Sequence, residues 1–245
     1  MAPRRIGGGV NPIDPLSLPN RRLAVIAPHP DDECLGCGGL ISAFAADGRD
    51  VLAVFVTDGS GSHPHSREWP PERLIAQRQA EALGSLGRLG VTARAPVFLD
   101  LRDAGMPRLD SDAGRRALSR LSFALAAFAP DLMLLPWRRD PHCDHRDAWA
   151  LAMVAAASLP APPDILEYAV WLDEIGAPDD QPRPEEAVAE IFDISPYVSA
   201  KRAAVQAHLS QTTELITDDP TGFRLAPETI DRLVTPLERY WRPAR

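Results

Sequence analysis

Short apolar runs alternate with segments of helical periodicity along this chain, and this alternation restricts its possible folds more than any other feature. The clearest runs are RLAVIA at 22–27, VLAVFV at 51–56 and DLMLLP at 131–136, with a further run at 97–101. Runs this short and this apolar are typical of strands buried on both faces. Repeated strand–helix units predict a mostly parallel sheet with helices on both faces. We therefore predict the α/β class, with a Rossmann-like sheet.

The remaining segments extend this pattern into one domain. Helices are predicted over 38–46, 71–89, 112–128, 145–159, 198–210 and 227–241, and two further strands over 165–171 and 188–194. We predict a single α/β domain over residues 22–245, whose last strands and helices are C-terminal additions. Residues 1–21 are rich in Pro and Gly and are predicted to form an extended N-terminal arm.

Composition argues against several classes of partner. A chain of 245 residues with a formal net charge of −8 does not favour the basic surface that nucleic-acid binding requires. No run of apolar residues is long enough for a membrane span, and the N-terminus lacks the apolar core of a signal peptide. We therefore expect a cytoplasmic protein whose partner is a small molecule, with no nucleic acid and no membrane involved.

The three cysteines leave two interpretations open. Their odd number argues against a disulfide framework. Cys34 and Cys37 form a C-x-x-C pair between a predicted strand and a predicted helix, which is the position of a redox motif. The alternative is that two small residues pack the start of a helix, and the sequence favours this packing interpretation.

A histidine and three acids, His29-Pro30-Asp31-Asp32-Glu33, follow the first predicted strand. Ligands bind beyond the carboxyl ends of parallel strands, so this cluster and the loops after residues 56, 101 and 136 should share one rim. Buried carboxylates need a compensating positive charge, which a divalent cation supplies. His29 and Asp32 can converge on one ion, and zinc suits such ligands, while Asp31 is free to act as general base. A helix cap explains one or two of the acids but not His29.

A second cluster, His142-Cys143-Asp144-His145, follows the fourth predicted strand and falls on the same rim. Two histidines three positions apart at the start of a helix lie near one another. One can complete a three-ligand zinc site, and the other can stabilise an oxyanion or protonate a leaving amine. Asp144 is placed to orient a histidine. A lone H-x-x-H is more often solvated or capping, but two clusters on one rim together predict a metal-dependent hydrolase.

Two functions of other classes fit parts of this pattern. Gly36-Cys37-Gly38-Gly39 lies between a strand and a helix, as in a dinucleotide-binding module, and Asp58 stands where a ribose-binding acid would. The third glycine of that motif is missing at position 41, and the acidic cluster crowds the phosphate position. A non-catalytic metal-binding protein is the other alternative, and the candidate base and acid beside the ligands argue against it.

The two clusters resemble the motifs of the PIG-L/LmbE-like family of zinc-dependent N-deacetylases. The similarity depends on A27-P-H-P-D-D-E33 followed by G36-C-G-G39, and on the distal H142-C-D-H145. Softer matches are T57-D-G59, R78-Q-A-E81, R102-D-A-G-M106 and K201-R-A-A-V-Q-A-H-L-S-Q211. The family acts on N-acetylglucosaminyl compounds and includes the deacetylases of mycothiol and bacillithiol biosynthesis.

The resemblance implies a role for each matching residue and a Zn²⁺ cofactor, with Fe²⁺ able to use the same ligands. The implied metal ligands are His29, Asp32 and His145. The implied catalytic residues are Asp31 as general base, His142 as acid or oxyanion partner, and Asp144 as the carboxylate that tunes the neighbouring histidine. Arg78 and Asp103 match positions that contact the sugar; an exposed ion pair of Arg78 with Glu81 and a turn-forming Asp103 are the alternatives.

The implied activity is removal of an N-acyl group, most simply N-acetyl, from an amino sugar or related small molecule. An amidase acting on a larger thiol-sugar conjugate or an acylated natural product is the alternative. Cys143 stands where the family commonly has Pro, which alters the turn but removes no ligand. Two further pairs of polar residues are left with open roles. His63 and His65 in the loop 59–71 either contact substrate or belong to a solvated loop, and the solvated loop is favoured. His208 and Gln211 near the C-terminus either edge the pocket or pack the C-terminal helix.

Overall fold

One seven-stranded sheet organises the protein in the computed structural model, which describes residues 11–244. Its strands are β1 (Arg22–Ala27), β2 (Asp50–Thr57), β3 (Val97–Leu101), β4 (Leu132–Pro136), β5 (Asp164–Tyr168), β6 (Ala187–Asp193) and β7 (Leu237–Pro243). They lie in the order β3-β2-β1-β4-β5-β7-β6. Strands β1 to β5 are parallel to one another, and β7 is antiparallel to both of its neighbours, β5 and β6. The sheet is therefore mostly parallel, as predicted.

Eight α-helices accompany the sheet within these residues. They are α1 (Asp32–Ala46), α2 (Pro71–Arg88), α3 (Asp112–Phe128), α4 (Cys143–Ala157), α5 (Leu172–Ile175), α6 (Val198–Val205), α7 (Leu209–Thr212) and α8 (Pro227–Leu233). The predicted helix over 112–128 matches α3, whereas α1 begins at Asp32, six residues before the predicted start. Three glycines at 36, 38 and 39 weaken the helical signal there.

Both faces of the sheet are covered because the side chains of a strand alternate in direction. Along β1, Leu23 and Val25 join the core that contains α1 and α6, whereas Ala24 and Ile26 join the core that contains α3 and α4. This two-sided burial explains why β1 is apolar throughout. The prediction of an α/β fold with helices on both faces is confirmed.

The strand order places a binding crevice at the carboxyl end of β1. The chain builds β1, β2 and β3 outward in one direction and then returns to place β4 on the other side of β1. Ligands of such sheets bind where the strand order reverses in this way. The segment after β1 carries His29 to Glu33 and the segment after β4 carries His142 to His145, so both clusters open onto this crevice.

The predicted helix over 227–241 is wrong in its second half. Helix α8 ends at Leu233, and Leu237–Pro243 forms β7, which is inserted between β5 and β6. The buried positions in β7 include Glu238 and Tyr240, two residues apart. Because a carboxylate occupies one of these inward positions, the sequence lacks the apolar alternation of a strand. The predicted helix over 198–210 is likewise divided into α6 and the short α7.

The described part of the predicted arm, residues 11–21, lies against the domain. Ile13 forms a bridge to Phe192 of β6, and the Arg49 guanidinium donates hydrogen bonds to the carbonyls of Leu16, Leu18 and Asn20. Residues 1–10 of the arm fall outside the described residues. Among residues 11–244, the helices are too short or too polar to cross a membrane.

Candidate metal centre and active site

A tight turn between β1 and α1 sets the first half of the site. The Asp32 carboxylate accepts the backbone N–H of His29 (Oδ2 to N, 2.8 Å) and lies 3.1 Å from Nδ1 of the same residue. Asp31 sits at the corner of the turn with φ 140°, a conformation that residues bearing a Cβ rarely adopt. The turn therefore brings His29 and Asp32 into contact and leaves the Asp31 carboxylate outside that contact.

Helix α4 brings in the second half of the site. His142 is its N-cap residue and accepts the backbone N–H of Asp144 through Nδ1 at 3.2 Å. His145, in the first turn, places Nε2 at 3.3 Å from Asp32 Oδ2. The ring centroids of His29 and His142 are 4.8 Å apart, and those of His29 and His145 are 5.5 Å apart. Two segments more than a hundred positions apart in sequence thus meet in one cluster.

The donor set of this cluster fits a divalent cation. His29 Nδ1 and His145 Nε2 lie 3.1 and 3.3 Å from the same Asp32 oxygen. Zinc bonded to nitrogen and oxygen at about 2.0–2.2 Å spaces tetrahedral ligand atoms about 3.3–3.6 Å apart. Among the described residues, Nε2 of the fully buried His145 has no hydrogen-bond partner, so a cation would satisfy a polar atom that the protein leaves unpaired. His29, His142 and His145 also offer ring nitrogens within 4.8 Å of one another.

Carboxylates face the outer nitrogens of the two predicted ligand histidines. His29 Nε2 lies 3.1 Å from Asp144 Oδ2 and 3.4 Å from Asp103 Oδ1. His145 Nδ1 lies 3.4 Å from Asp140 Oδ1. Metal-binding histidines are commonly oriented by a carboxylate on the far side of the ring. The geometry therefore supplies such a partner for each of them.

Asp140 is the site residue that sequence reasoning missed. It is fully buried, accepts the backbone N–H of His142 at 3.1 Å, and lies 3.4 Å from the amide nitrogen of Val170. Its only signal in the sequence is its position in W137-R-R-D-P-H142, where it resembles an ordinary loop acid. The sequence prediction gave the histidine-orienting role to Asp144 alone, and Asp144 contacts His29 and the backbone N–H of Ala104.

Arg78 holds Asp31 from the opposite side. Its Nη2 donates to Asp31 Oδ2 at 3.0 Å and to the Pro30 carbonyl at 2.7 Å, and its Nη1 donates to the Gly59 carbonyl at 3.0 Å. The side chain is only 3% exposed, so the alternative of an exposed ion pair with Glu81 is wrong. Asp103, whose Oδ2 accepts the Gly61 N–H at 2.9 Å, lies beside His29. All eight predicted site residues therefore meet around one point of the rim.

The buried charges of the cluster shift one another. Burial opposes ionisation of His29, but Asp103, Asp144 and Asp32 together raise its pKa well above the ordinary value. Burial raises the pKa of Asp31 to about 6, although the Arg78 guanidinium acts in the opposite direction. Shifts of this kind are typical of catalytic sites and also of buried ion-pair networks.

The three histidines and one glutamine whose roles are open differ in burial. His65 is exposed, and His63 is buried against Gly222. His208 and Gln211 are fully buried, so they pack inside the protein rather than edging a pocket. Trp171 and Phe223 form an edge-to-face pair with centroids 5.7 Å apart, and the Trp171 amide nitrogen lies 3.3 Å from Asp140 Oδ2, beside the site.

The dinucleotide-binding and redox interpretations do not fit this geometry. A dinucleotide phosphate at the start of α1 would meet the buried carboxylates of Asp31, Asp32 and Glu33. Cys34 and Cys37 are fully buried free thiols, and burial raises the pKa of both well above the ordinary value. Redox cysteines need accessible thiolate, so these two are packing residues.

Comparison with known proteins decides the family. The family model for PIG-L, GlcNAc-PI de-N-acetylase, matches residues 24–156, which is more than half of the chain and contains both histidine clusters. The chain belongs to this family. The resemblance predicted from the two motifs is confirmed, and with it the expectation of a hydrolase of the deacetylase class.

Individual relatives agree with this assignment. The 1D-myo-inositol 2-acetamido-2-deoxy-alpha-D-glucopyranoside deacetylase of Mycobacteroides abscessus is 28% identical, and the match covers 85% of this chain and 87% of the relative. A triple mutant of a deacetylase from the teicoplanin biosynthetic pathway superimposes with a TM-score of 0.67 at 23% identity, over 91% of this chain and 98% of that chain.

The fold by itself does not determine the reaction. The 4-carboxy-2-hydroxymuconate hydratase of Pseudomonas putida superimposes with a TM-score of 0.66 at 18% identity, over 91% of this chain and 96% of that chain. The reaction therefore depends on the residues of the site rather than on the fold.

Proposed function

We propose that this member of the PIG-L family is a Zn²⁺-dependent N-deacetylase that removes an acetyl group from the amine of an amino sugar. The observation that carries the proposal is the convergence of His29, Asp32 and His145 around one point, with Asp31 held beside them by Arg78. Three protein ligands leave a coordination position open, which is the pattern of a catalytic rather than a structural zinc site.

The metal would be held by His29 Nδ1, Asp32 Oδ2 and His145 Nε2. A bound divalent cation supplies Lewis acidity, which polarises an amide carbonyl and makes a water more acidic. Nitrogen and oxygen donors suit zinc, and the same donors suit iron. Asp140, Asp144 and Asp103 keep the rings of the two histidines in place from behind.

Side chains of the protein then accept and donate the protons of the reaction. Asp31 accepts a proton from the water that attacks the amide carbon. His142, which is only partly buried, lies on the open side of the cluster and donates a hydrogen bond to the developing oxyanion. Cleavage of the C–N bond transfers a proton to the departing nitrogen from Asp31 or His142, and the products are a free amine and acetate.

An N-acetylated amino sugar is the favoured substrate class because of the relatives. The similar enzyme of Mycobacteroides abscessus acts on an inositol glycoside of 2-acetamido-2-deoxyglucose. Asp103 and Arg78 stay predicted sugar contacts, and their side chains lie beside His29 and Asp31, where the acyl group would be cleaved.

Replacing Asp31 tests the mechanism. In zinc-loaded D31N we expect amine release from N-acetylglucosaminyl-inositol to fall by about 100-fold or more, because the general base is lost. Metal analysis should still find about one zinc per chain, since the three ligands remain. The control is D147N, which changes an exposed Asp of α4, two residues after His145 and outside the site. Full activity of metal-loaded D31N would remove Asp31 from the mechanism.

Replacing His145 tests the metal site separately. H145A removes one of three ligands, so the bound zinc should be lost on dialysis against a weak chelator while D147N keeps it. Retention of stoichiometric zinc by H145A would overturn the assigned ligand set.

A further inference from the structure

Glu33, the last residue of the first motif, has no part in the proposed reaction. Its side chain is completely buried at the start of α1. Isolated carboxylates are strongly disfavoured in such surroundings, so the contacts of Glu33 have to account for its presence. One oxygen, Oε2, accepts the backbone N–H of Asp31 at 3.0 Å. The other, Oε1, accepts the hydroxyl of Ser85 at 2.6 Å and lies 3.4 Å from Nε2 of His208.

Asp31 needs such support because its backbone is strained. Its φ of 140° is unfavourable for any residue with a side chain and persists only where the surroundings hold it. Its carbonyl accepts the backbone N–H groups of Cys34 and Leu35, at 3.1 and 3.0 Å. Its own N–H has Glu33 Oε2 as its partner. Glu33 therefore accepts a hydrogen bond from the backbone N–H of Asp31, which the backbone of helix α1 leaves without an acceptor.

Two separate parts of the chain fix the position of Glu33. Ser85 belongs to α2, His208 lies between α6 and α7, and both are fully buried. The segment that contains His208 is itself tied to α2, because the Ser210 hydroxyl donates to Glu81 Oε2 at 2.6 Å. Glu33 thus connects the C-terminal H208-L-S-Q211 segment to the turn that contains Asp31.

We propose that Glu33, held by Ser85 and His208, is a positioning residue that keeps Asp31 in its strained conformation with the carboxylate directed at the reacting water. The inference depends on the proposed function, in which Asp31 is the general base. Glu33 acts only through Asp31, since its bonds go to the Asp31 backbone, Ser85 and His208 and not to the three metal-binding atoms.

A second cation site at this position is the competing explanation. Glu33, Cys34 and His208 offer ligand atoms within 4.8 Å of one another. However, the Cys34 thiol donates to the Asp31 carbonyl at 3.0 Å, and Glu33 Oε1 is already engaged by Ser85. A protonated thiol and an occupied carboxylate oxygen favour hydrogen bonding over metal binding.

The test compares E33Q with E238Q in the zinc-loaded enzyme. Glutamine keeps the volume of Glu33 but has one acceptor oxygen, so it cannot accept from both Asp31 and Ser85. We expect E33Q to lower kcat by about 10–100-fold, with KM and zinc affinity unchanged. Glu238 is a matched control: it is also buried and accepts backbone N–H groups of α1, from Gly39 and Leu40, but in the middle of the helix. E238Q should keep kcat within about twofold, even if it melts earlier.

A double variant distinguishes positioning from general damage. If Glu33 acts only through Asp31, then D31N/E33Q should retain the residual rate of D31N, because the benefit of a well-placed base is already gone. Multiplication of the two losses, an unchanged kcat in E33Q, or loss of a second metal equivalent in E33Q would each overturn the inference. Full activity of D31N would instead overturn the proposed function.

Ser85 offers a milder variant in case E33Q does not fold. S85A removes one hydrogen bond from Glu33 Oε1 and leaves the carboxylate and its bond to Asp31 in place. We expect a decrease in kcat of about threefold to tenfold that disappears in the D31N background. An unchanged kcat in folded S85A together with an inactive D31N would count against the positioning role while leaving the proposed function intact.

Discussion

Asp140 shows how a single loop residue can organise the predicted metal site from outside it. Its carboxylate lies 3.4 Å from His145 Nδ1, accepts the His142 N–H, and approaches the amide nitrogens of Val170 and Trp171. It therefore links the loop after β4 to the segment after β5. Burial opposes its ionisation, but His145 holds the pKa of Asp140 below its ordinary value.

Removing this charge should weaken metal binding. In D140N the side chain keeps an acceptor for the His142 N–H but no longer favours a proton on His145 Nδ1, so the Nε2 lone pair is less well directed. We expect the dissociation constant for zinc to rise about 10–100-fold, measured by competition with a chromophoric chelator. The control is D147N, because Asp147 is an exposed acid on α4, the helix that carries His145. Equal zinc affinity in D140N and D147N would show that Asp140 does not orient the ligand.

The chemistry-bearing residues were predictable where the chemistry itself restricts the sequence. Histidines and carboxylates packed at strand ends, as at His29 and His145, are hard to explain without a ligand. Asp140 and the role of Glu33 were not predictable, because each acts through contacts made by other elements. A buried acid that orients a neighbour has the same sequence signal as a solvated loop acid, and only its burial distinguishes the two.

At the scale of elements, two segments far apart in sequence are joined by hydrogen bonds near the site. The loop 59–71 is bonded to the segment 213–226 through Asp218, which accepts the Ser66 hydroxyl and the backbone N–H groups of Arg67 and Glu68, at 2.6 to 2.9 Å. The Phe223 N–H donates to the Ser62 carbonyl at 2.6 Å. The same loop contacts Asp103 through Gly61, so its order is coupled to the site.

Replacing Asp218 should therefore affect substrate binding more than the chemical step. D218A removes three hydrogen bonds at a partly exposed position, each contributing about 1 kcal/mol. We expect KM for the acetylated substrate to rise about threefold to tenfold, with kcat within about twofold, and proteolysis within 59–71 to become faster. D110A, which removes an exposed ion pair with Arg108, should leave all three quantities unchanged. A decrease in kcat with unchanged KM would contradict this division.

The parallel part of the sheet was predictable at this scale, and its added strand was not. Strands β1, β2 and β4 are buried on both faces and have the continuous apolar sequence that such burial requires. Strand β7 places Glu238 at a buried position, and the charge is tolerated because Lys201 and three other donors surround it. A sequence pattern does not reveal compensation supplied from another element, which is why the predicted helix over 227–241 includes the first five residues of β7.

At the scale of the whole molecule, a buried ion pair joins elements that are far apart in sequence. Lys201 of α6 contacts Glu238 of β7 at 2.7 Å, and both side chains are at most 2% exposed. Glu238 also accepts N–H groups from Gly39 and Leu40 of α1, the helix that begins with Asp32. The C-terminal third of the chain lies beyond the stretch matched by the family model, yet it braces the helix that carries a predicted metal ligand.

Breaking that pair should cost far more stability than breaking a neighbouring exposed pair. K201M retains the aliphatic stem but leaves the Glu238 carboxylate buried without its cation, and we expect the free energy of unfolding in urea to fall by about 3–5 kcal/mol. Arg202, the next residue, forms an ion pair with Asp231 in which the side chains are 41% and 70% exposed, so R202M should cost less than about 1 kcal/mol. Two substitutions of adjacent cations by the same residue thus differ only in burial and in partner. If K201M and R202M unfolded at the same urea concentration, the ion pair would not be what joins α1, α6 and β7, and the apolar contacts between these elements would have to account for their association.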